Sequence, residues 1–302
     1  MDCRALQRKR FTFGLIMLLF INFLMNLMKK NLLKLIIADT SNQLNRSISF
    51  MKEFKKATGI DKAFIGISGG ADSALCAYIL KESGYQVTGL IMPSAVTKQK
   101  DLLDARYICS SLGIKKVEIN LSNIIDSFKL ALNEPCINRL AIGNLTARVR
   151  MSVLYAYSNQ FNGIVAGTGD KSEYFLGYFT KHGDAGCDVF PILHMYKTQV
   201  QQALLHIGFS RIAKKAPSPG LWEGQTAQAE LGIDYSEADC IIHAIIDNLP
   251  ISAFSKKAVA KVGLAFLSTK HKRTLPSLLK QSDLDVFERR VSSFVHLNNK
   301  KR

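Results

Sequence analysis

Apolar positions recur at helical spacing from about Asn31 to Thr58, at Leu32, Leu35 and Ile36, then Ile48, Met51 and Phe54. Gly59 follows as a helix stop. The pattern then changes. Ala63-Phe64-Ile65-Gly66-Ile67 is a short unbroken apolar run and reads as a buried strand. A turn-rich loop, 68–73, separates it from a helix expected from about Asp72 to Glu82 and closed near Gly84. Tyr85 to Met92 reads as a second strand, ended by Pro93. A helix around Leu102 to Leu112, a strand over Lys116 to Ile119, a long helix over 144–160 and a buried strand over Gly163 to Gly167 continue the alternation. Leu145, Val149, Val153 and Ala156 mark one face of the long helix. A polar, glycine-rich stretch runs from Thr168 to Asp188, Tyr196 to Ile207 reads as helix, and Lys214 to Gln228 as a long loop. Helices dominate the remainder.

Helices alternating with apolar central strands predict an α/β protein built on a doubly wound parallel sheet, covered on both faces. Ligands of such sheets sit at the carboxyl ends of the strands. Loops 68–73 and 168–188 both follow buried strands, so both are expected to open onto one edge.

The N-terminus stands apart. Phe11 to Met28 is almost wholly apolar with basic flanks, and as a helix would span about 27 Å, close to a bilayer core. No small-residue cleavage pattern follows, which disfavours a signal peptide. Two readings remain: a membrane anchor, or an over-extended start, with Met28-Lys29-Lys30 as a plausible true beginning. The chain divides accordingly into a hydrophobic extension, 1–30, and one domain, 31–302.

Of 302 residues, 47% are hydrophobic, enough for a sizeable core, and the formal net charge of +16 attracts polyanions without choosing among nucleotides, RNA and membranes. Part of the excess lies in terminal runs, Arg4 to Arg10 and Asn299 to Arg302, read as solvated tails. None of the six cysteines forms a C-x-x-C pair, so no zinc, iron–sulfur or thioredoxin-like spacing is present. Reduced, mostly buried thiols fit a cytoplasmic setting.

The loop Ser68-Gly69-Gly70-Ala71-Asp72-Ser73 carries the sharpest chemistry. Glycines admit close backbone approach, the N–H groups of the following helix face an anion, and Ser68 and Ser73 bring hydroxyl donors. Asp72 would be repelled by bare phosphate, which suggests Mg²⁺ between them. A plain N-capped helix after a tight turn is the alternative. G-x-x-x-x-G-K-[ST] is absent, and no G-x-G-x-x-G follows a strand.

S-G-G-x-D-S resembles the signature of the N-type ATP pyrophosphatases, which have a Rossmann-like adenine nucleotide alpha hydrolase fold and form adenylates with release of pyrophosphate. Further blocks resemble the NAD synthetases of that superfamily. They are Gly143-Asn144-Leu145-Thr146-Ala147-Arg148-Val149-Arg150-Met151, Gly167-Thr168-Gly169-Asp170-Lys171-Ser172-Glu173 and Gly177-Tyr178-Phe179-Thr180-Lys181-His182-Gly183-Asp184. Leu221-Trp222-Glu223-Gly224-Gln225-Thr226 and His271-Lys272-Arg273 complete the series, over roughly residues 45 to 276. Ala185, Cys187 and Pro219 depart from the usual pattern.

The resemblance implies an ammonia-dependent ligase that converts deamido-NAD to NAD through an adenylate. It implies ATP on Gly66, Ile67, Ser68, Gly69, Gly70, Ala71, Asp72, Ser73, Thr168, Lys197 and Ser218. Deamido-NAD falls to Arg148, Lys181, Asp188, His271 and Lys272, and Mg²⁺ to Asp72 and Glu173. Asp72 and Lys197 are expected to be catalytic, and Asp184 to accept a proton from ammonium. A homodimer is implied. Too few residues precede Ser68 for a glutamine amidase domain, so ammonia is the expected nitrogen source. No nucleic acid is expected, and a membrane only if 11–28 is a real anchor. A tRNA-modifying pyrophosphatase and a non-enzymatic nucleotide sensor are the alternatives.

Overall fold

The computed structural model describes residues 23–133 and 137–274. In chain order its elements are helix α1 (23–38), α2 (Thr40–Thr58), strand β1 (Lys62–Gly66), α3 (Ala71–Glu82), β2 (Gln86–Ile91), α4 (Gln99–Leu112) and β3 (Lys115–Glu118). There follow α5 (Ser122–Leu132), α6 (Arg139–Phe161), β4 (Ile164–Ala166), α7 (Lys171–Leu176), α8 (Lys197–His206), α9 (Ser210–Ala213), α10 (Ala227–Leu231), α11 (Tyr235–Ile246) and α12 (Lys256–Ser268).

All four strands are parallel, in the order β3-β2-β1-β4. The chain steps outward from β1 through β2 to β3, then returns across α5 and α6 to pair β4 on the other side of β1. That reversal makes the gap between the carboxyl ends of β1 and β4 a topological switch point, where a crevice opens. Side chains of β1 alternate between two layers. Ala63 and Ile65 join a core with Leu75, Ile79, Ile108 and Leu204 from α3, α4 and α8. Phe64 faces the opposite layer, with Ile125, Val149 and Tyr157 of α5 and α6. Helices therefore cover both faces, as the alternation predicts. A third cluster joins Ile36, Leu176, Ile241 and Val262 and binds α1, α7, α11 and α12 together.

Local differences from the sequence reading have physical causes. The single helix expected over 31–58 arrives as two, meeting at Asp39, whose carboxylate accepts from the side chains of Asn42 and Gln43. Such local bonding competes with an unbroken helix. The long helix starts earlier than 144, at Arg139, because Asn138 Oδ1 caps it by accepting from Ala141 N at 2.9 Å. The stretch 168–188 is not all loop: Asp170 caps α7 by accepting from Glu173 N. Among the described residues no helix is long and apolar enough to cross a membrane. Most of the apolar run 11–28 lies outside them.

Candidate active site

The loop after β1 is held rigid from within. Ile67 N donates to Leu90 O at 2.9 Å, which extends the sheet ladder to the loop's edge. Ser73 Oγ then accepts from Ser68 N (3.3 Å) and donates to Gly70 O (3.1 Å), while Gly70 N donates to Ser68 Oγ (3.2 Å). Both hydroxyls expected to face a ligand are thus engaged as staples of the loop. Gly69 lies at φ +78°, and a Cβ there would fall 2.3 Å from Asp101 O of α4. Its missing side chain serves helix packing, and neither Gly69 nor Ser73 lines the cavity. Gly66, Ile67, Ser68, Gly70, Ala71 and Asp72 do line it. Gly70 N-caps α3 without a side-chain bond, and the first intrahelical bond is Ala74 N to Gly70 O at 3.2 Å. The N–H groups of Ala71, Asp72 and Ser73 are left without helical acceptors, at the positive end of the helix dipole.

Across a cavity of about 300 Å³ lie Thr168, Glu173 and Lys197. Lys197 is 1% exposed, and its Nζ stands 2.8 Å from Asp72, 2.8 Å from Asp170 and 2.7 Å from Glu173. Each carboxylate comes from the start of a helix, Asp72 from α3 and the other two from α7, while Lys197 opens α8. Asp239 binds these elements together, accepting from Ser172 Oγ on one oxygen and from Thr198 N (3.0 Å) and Oγ1 (2.8 Å) on the other.

Three acids face one ammonium, so the cluster is short of positive charge. Burial pushes the Asp170 carboxyl up to about 7 and Glu173 well above its usual range, against the pull of Lys197. Burial also opposes the lysine's charge, but Asp170, Asp72 and Glu173 together hold it well above its ordinary value. Asp170 Oδ2 is buried and lacks a well-aligned hydrogen bond even though Nζ is close. Carboxylate oxygens of the three acids lie within 4.8 Å of one another. Hard oxygen donors, convergent and under-neutralised, suit Mg²⁺.

A second cavity adjoins the first, sharing Glu173 and Asp184, and is bordered by Lys181 and Lys272. Asp184 is reached by solvent through these openings yet flanked closely by protein, and this confinement raises its carboxyl. Its Oδ1 accepts from Thr180 N at 2.6 Å. Lys181 Nζ donates to His271 O (2.7 Å), and Lys272 Nζ to Gly177 O (2.7 Å) and Phe179 O (2.8 Å). The two lysines therefore lock the 270–274 turn onto loop 177–181. Arg148 and His271 lie outside both linings, Arg148 one hydrogen bond from Lys181 O at 3.3 Å. Asp188 is not in either cavity: it accepts from Tyr155 Oη (3.0 Å) and Val165 N (2.7 Å) and clamps the end of the sheet. Ser218 lines the first cavity and donates to Gln225 O at 2.7 Å.

Sequence reasoning missed three residues. Asp170 stands inside the block 167–173 but has no role of its own in the sequence reading. Lys215 sits in a segment read only as loop, yet its Nζ joins Asp101 (2.6 Å), Asp104 (2.9 Å) and Gly69 O (2.9 Å), tying that loop to the anion cradle. Arg150 lines the first cavity with its Nε on Met92 O at 3.2 Å. Its place in the block 143–151 was the available signal.

Comparison with known proteins follows the same lines. Residues 43–276 match the NAD synthase family. An NH3-dependent NAD+ synthetase from Methanococcoides burtonii is 40% identical over 249 residues, covering 78% of this chain and 94% of that one. An NMN synthetase structure from Francisella tularensis superposes with a TM-score of 0.73 at 32% identity, over 79% of this chain and 98% of that one. An NH3-dependent NAD synthetase from Campylobacter jejuni, in complex with nitrate, gives 0.69 at 27% identity, over 80% and 99%.

Proposed function

The chain belongs to the NAD synthase family, and from that premise we infer that it converts deamido-NAD to NAD with ATP and ammonia, releasing AMP and pyrophosphate. It is a carbon–nitrogen ligase. The observation that carries the reading is the meeting, at one switch point, of the open α3 N-terminus with Asp72, Glu173 and Lys197.

The chemistry follows from these positions. The backbone N–H groups of Ala71 and Asp72, which line the cavity, receive the departing diphosphate, with Lys197 adding positive charge beside it. The nicotinate carboxylate is already ionised at neutral pH and attacks the α-phosphorus without a general base. Placing the two reactants in line is then most of the task. Ammonia attacks the activated carbonyl in the second step and AMP departs. Asp184 accepts a proton from ammonium, a role supported by its place between the cavities and its raised carboxyl. Bound Mg²⁺, held by Asp72 and Glu173, would neutralise the phosphates.

Thr168 and Ser218 are assigned to ATP, which their place in the first cavity supports. Lys181 and Lys272 border the second cavity, Arg148 and His271 are each one hydrogen bond from Lys181, and deamido-NAD is assigned to that side. Asp188 is assigned there by resemblance alone, since both its oxygens are engaged elsewhere. A homodimer is proposed as well. Ile124, Phe128 and Leu132 form an exposed apolar stripe at i, i+4, i+8 on α5, which a second copy would cover. We place the reaction in the cytoplasm.

The test is NAD and AMP formation from ATP, Mg²⁺, ammonium and deamido-NAD, with light scattering for the dimer. The mononucleotide substrate is run in parallel, because an NMN synthetase stands among the structural neighbours. Preference for the mononucleotide would change the substrate and leave the ligase. Pyrophosphate release that depends on tRNA, or no turnover at all, would favour the tRNA-modifying or sensor readings.

A further inference from the structure

Lys197 stands where a metal ion would have to stand. Its ammonium is the shared partner of all three carboxylates, 2.7 to 2.8 Å from each, and it is fully buried. The ammonium donates to Asp72 and Glu173 and sits against Asp170 without an aligned hydrogen bond to it. A divalent cation held by the same oxygens needs the same space, and two cations there repel. Lys197 and the metal therefore exclude one another unless the ammonium moves.

The three acids are not equivalent. Asp72 and Glu173 are each 22% exposed toward the cavity, whereas the Asp170 side chain has no exposure. Asp170 Oδ1 is fixed by Glu173 N at 2.8 Å, which aims Oδ2 inward, where it lacks an aligned donor. That oxygen is the least satisfied acceptor of the cluster and the least able to turn to solvent.

We propose that Lys197 is the resident cation of the acid cluster in the nucleotide-free protein, and that Asp170 is a third carboxylate of the divalent-cation seat, available once ATP phosphates draw the ammonium away. This rests on the ligase reading above. Metal and nucleotide then bind cooperatively, because each favours the arrangement in which Lys197 has left the cluster. The coupling is reciprocal by thermodynamic linkage.

Mn²⁺ binding, followed by paramagnetic resonance of the free ion, tests this on the full chain without turnover. The nucleotide is an ATP analogue with a methylene bridge between its α and β phosphates, and Mn²⁺ bound by the analogue alone is subtracted. Wild-type protein should bind Mn²⁺ weakly alone and on the order of tenfold more tightly with the analogue. Lys197→Met should bind it about tenfold more tightly without nucleotide and lose most of the coupling. Asp170→Asn added to Lys197→Met should return the affinity to the weak level. Equal nucleotide-free affinities in wild type and Lys197→Met would overturn the resident-cation role, and an unchanged affinity on adding Asp170→Asn would overturn the third ligand. If Lys197→Met does not fold, the wild-type measurement decides: no tightening by the analogue refutes the proposal. A protein that makes NAD but fails here keeps its function and loses only this inference; one that makes no NAD fails at the earlier assay, whatever its Mn²⁺ binding.

Discussion

Asp72 carries its charge at the mouth of the anion cradle, and the loss of that charge separates the metal role from a capping role. Asp72→Asn keeps the shape of the side chain and the start of α3. The expected result is a fall in kcat on the order of 10²–10³-fold with an unchanged unfolding midpoint, measured by NAD formation and denaturant titration. Near-normal turnover would remove Asp72 from the catalytic set. Asp239 shows a different residue-scale effect. Burial raises its carboxyl to about 6, although hydrogen bonds from Ser172 and Thr198 pull it down. The folded protein therefore holds a proton that the unfolded chain has already released near pH 4. Stability contributed by this site is present at low pH and is lost as pH rises from about 4 to about 6, a change of roughly 3 kcal/mol. Asp239→Asn should flatten that part of the stability profile relative to wild type, read by urea unfolding between pH 4 and 7; parallel profiles would contradict it. The sequence exposed Asp72 and Glu173 because each sits in a recognisable block, and Lys197 because it follows those blocks at the family's spacing. Asp170 and Asp239 stayed hidden, since a lone Asp at a helix start or on an amphipathic helix looks the same whether it caps, solvates or organises a buried cation.

At the scale of elements, the loop between β1 and α3 separates two uses of glycine. Gly69 sits at positive φ, and a Cβ would strike the Asp101 carbonyl of α4. Gly70 has φ −95°, its nearest Cβ contact is Ser68 Oγ at 3.2 Å, and it lines the cavity. Gly69→Ala should therefore destabilise the fold by about 2–4 kcal/mol through backbone strain and a displaced α4. Gly70→Ala should unfold almost as wild type and chiefly raise KM for ATP, since the methyl intrudes on the phosphate. Denaturant midpoints set beside KM values test the contrast, and a reversed order would show that the loop has been read the wrong way round. The elements that carry the site were legible for a physical reason. The middle of β1 and all of β4 are buried and read as apolar runs, β2 is buried over its last three residues, and Gly59 and Gly84 end their helices at φ +69° and +79°. α7 was not legible. It has only six residues, too few for a periodic signal, and it is held by the Asp170 cap and by packing against α8 and α11.

For the whole molecule, the telling region is α1, which precedes the family match at residue 43. Its described residues are not an appendage. Ile36 is 3% exposed in the cluster formed with α7, α11 and α12, flanked by Leu32 and Leu33. Ile36 O accepts from Gln199 Nε2 at 2.9 Å, and Lys29 pairs with Glu237 at 2.7 Å. Gln199 lies two residues from Lys197 on α8, so α1 braces the helix that carries the central ammonium. Burying Ile36 contributes about 1.5–3 kcal/mol, and its removal would also leave the buried Gln199 amide without an acceptor, worth about another 1–3 kcal/mol. Removing residues 1–22 should leave turnover within about twofold and the melting temperature nearly unchanged, because the described part of α1 and the whole family match, 43–276, are retained. Removing 1–38 should cost about 3–5 kcal/mol and lower kcat as α8 loosens. Calorimetry and NAD formation on the two deletions decide the point. Equal behaviour would mean that the domain boundary lies after α1, at the start of the family match, rather than near residue 30 as the composition of the chain suggests.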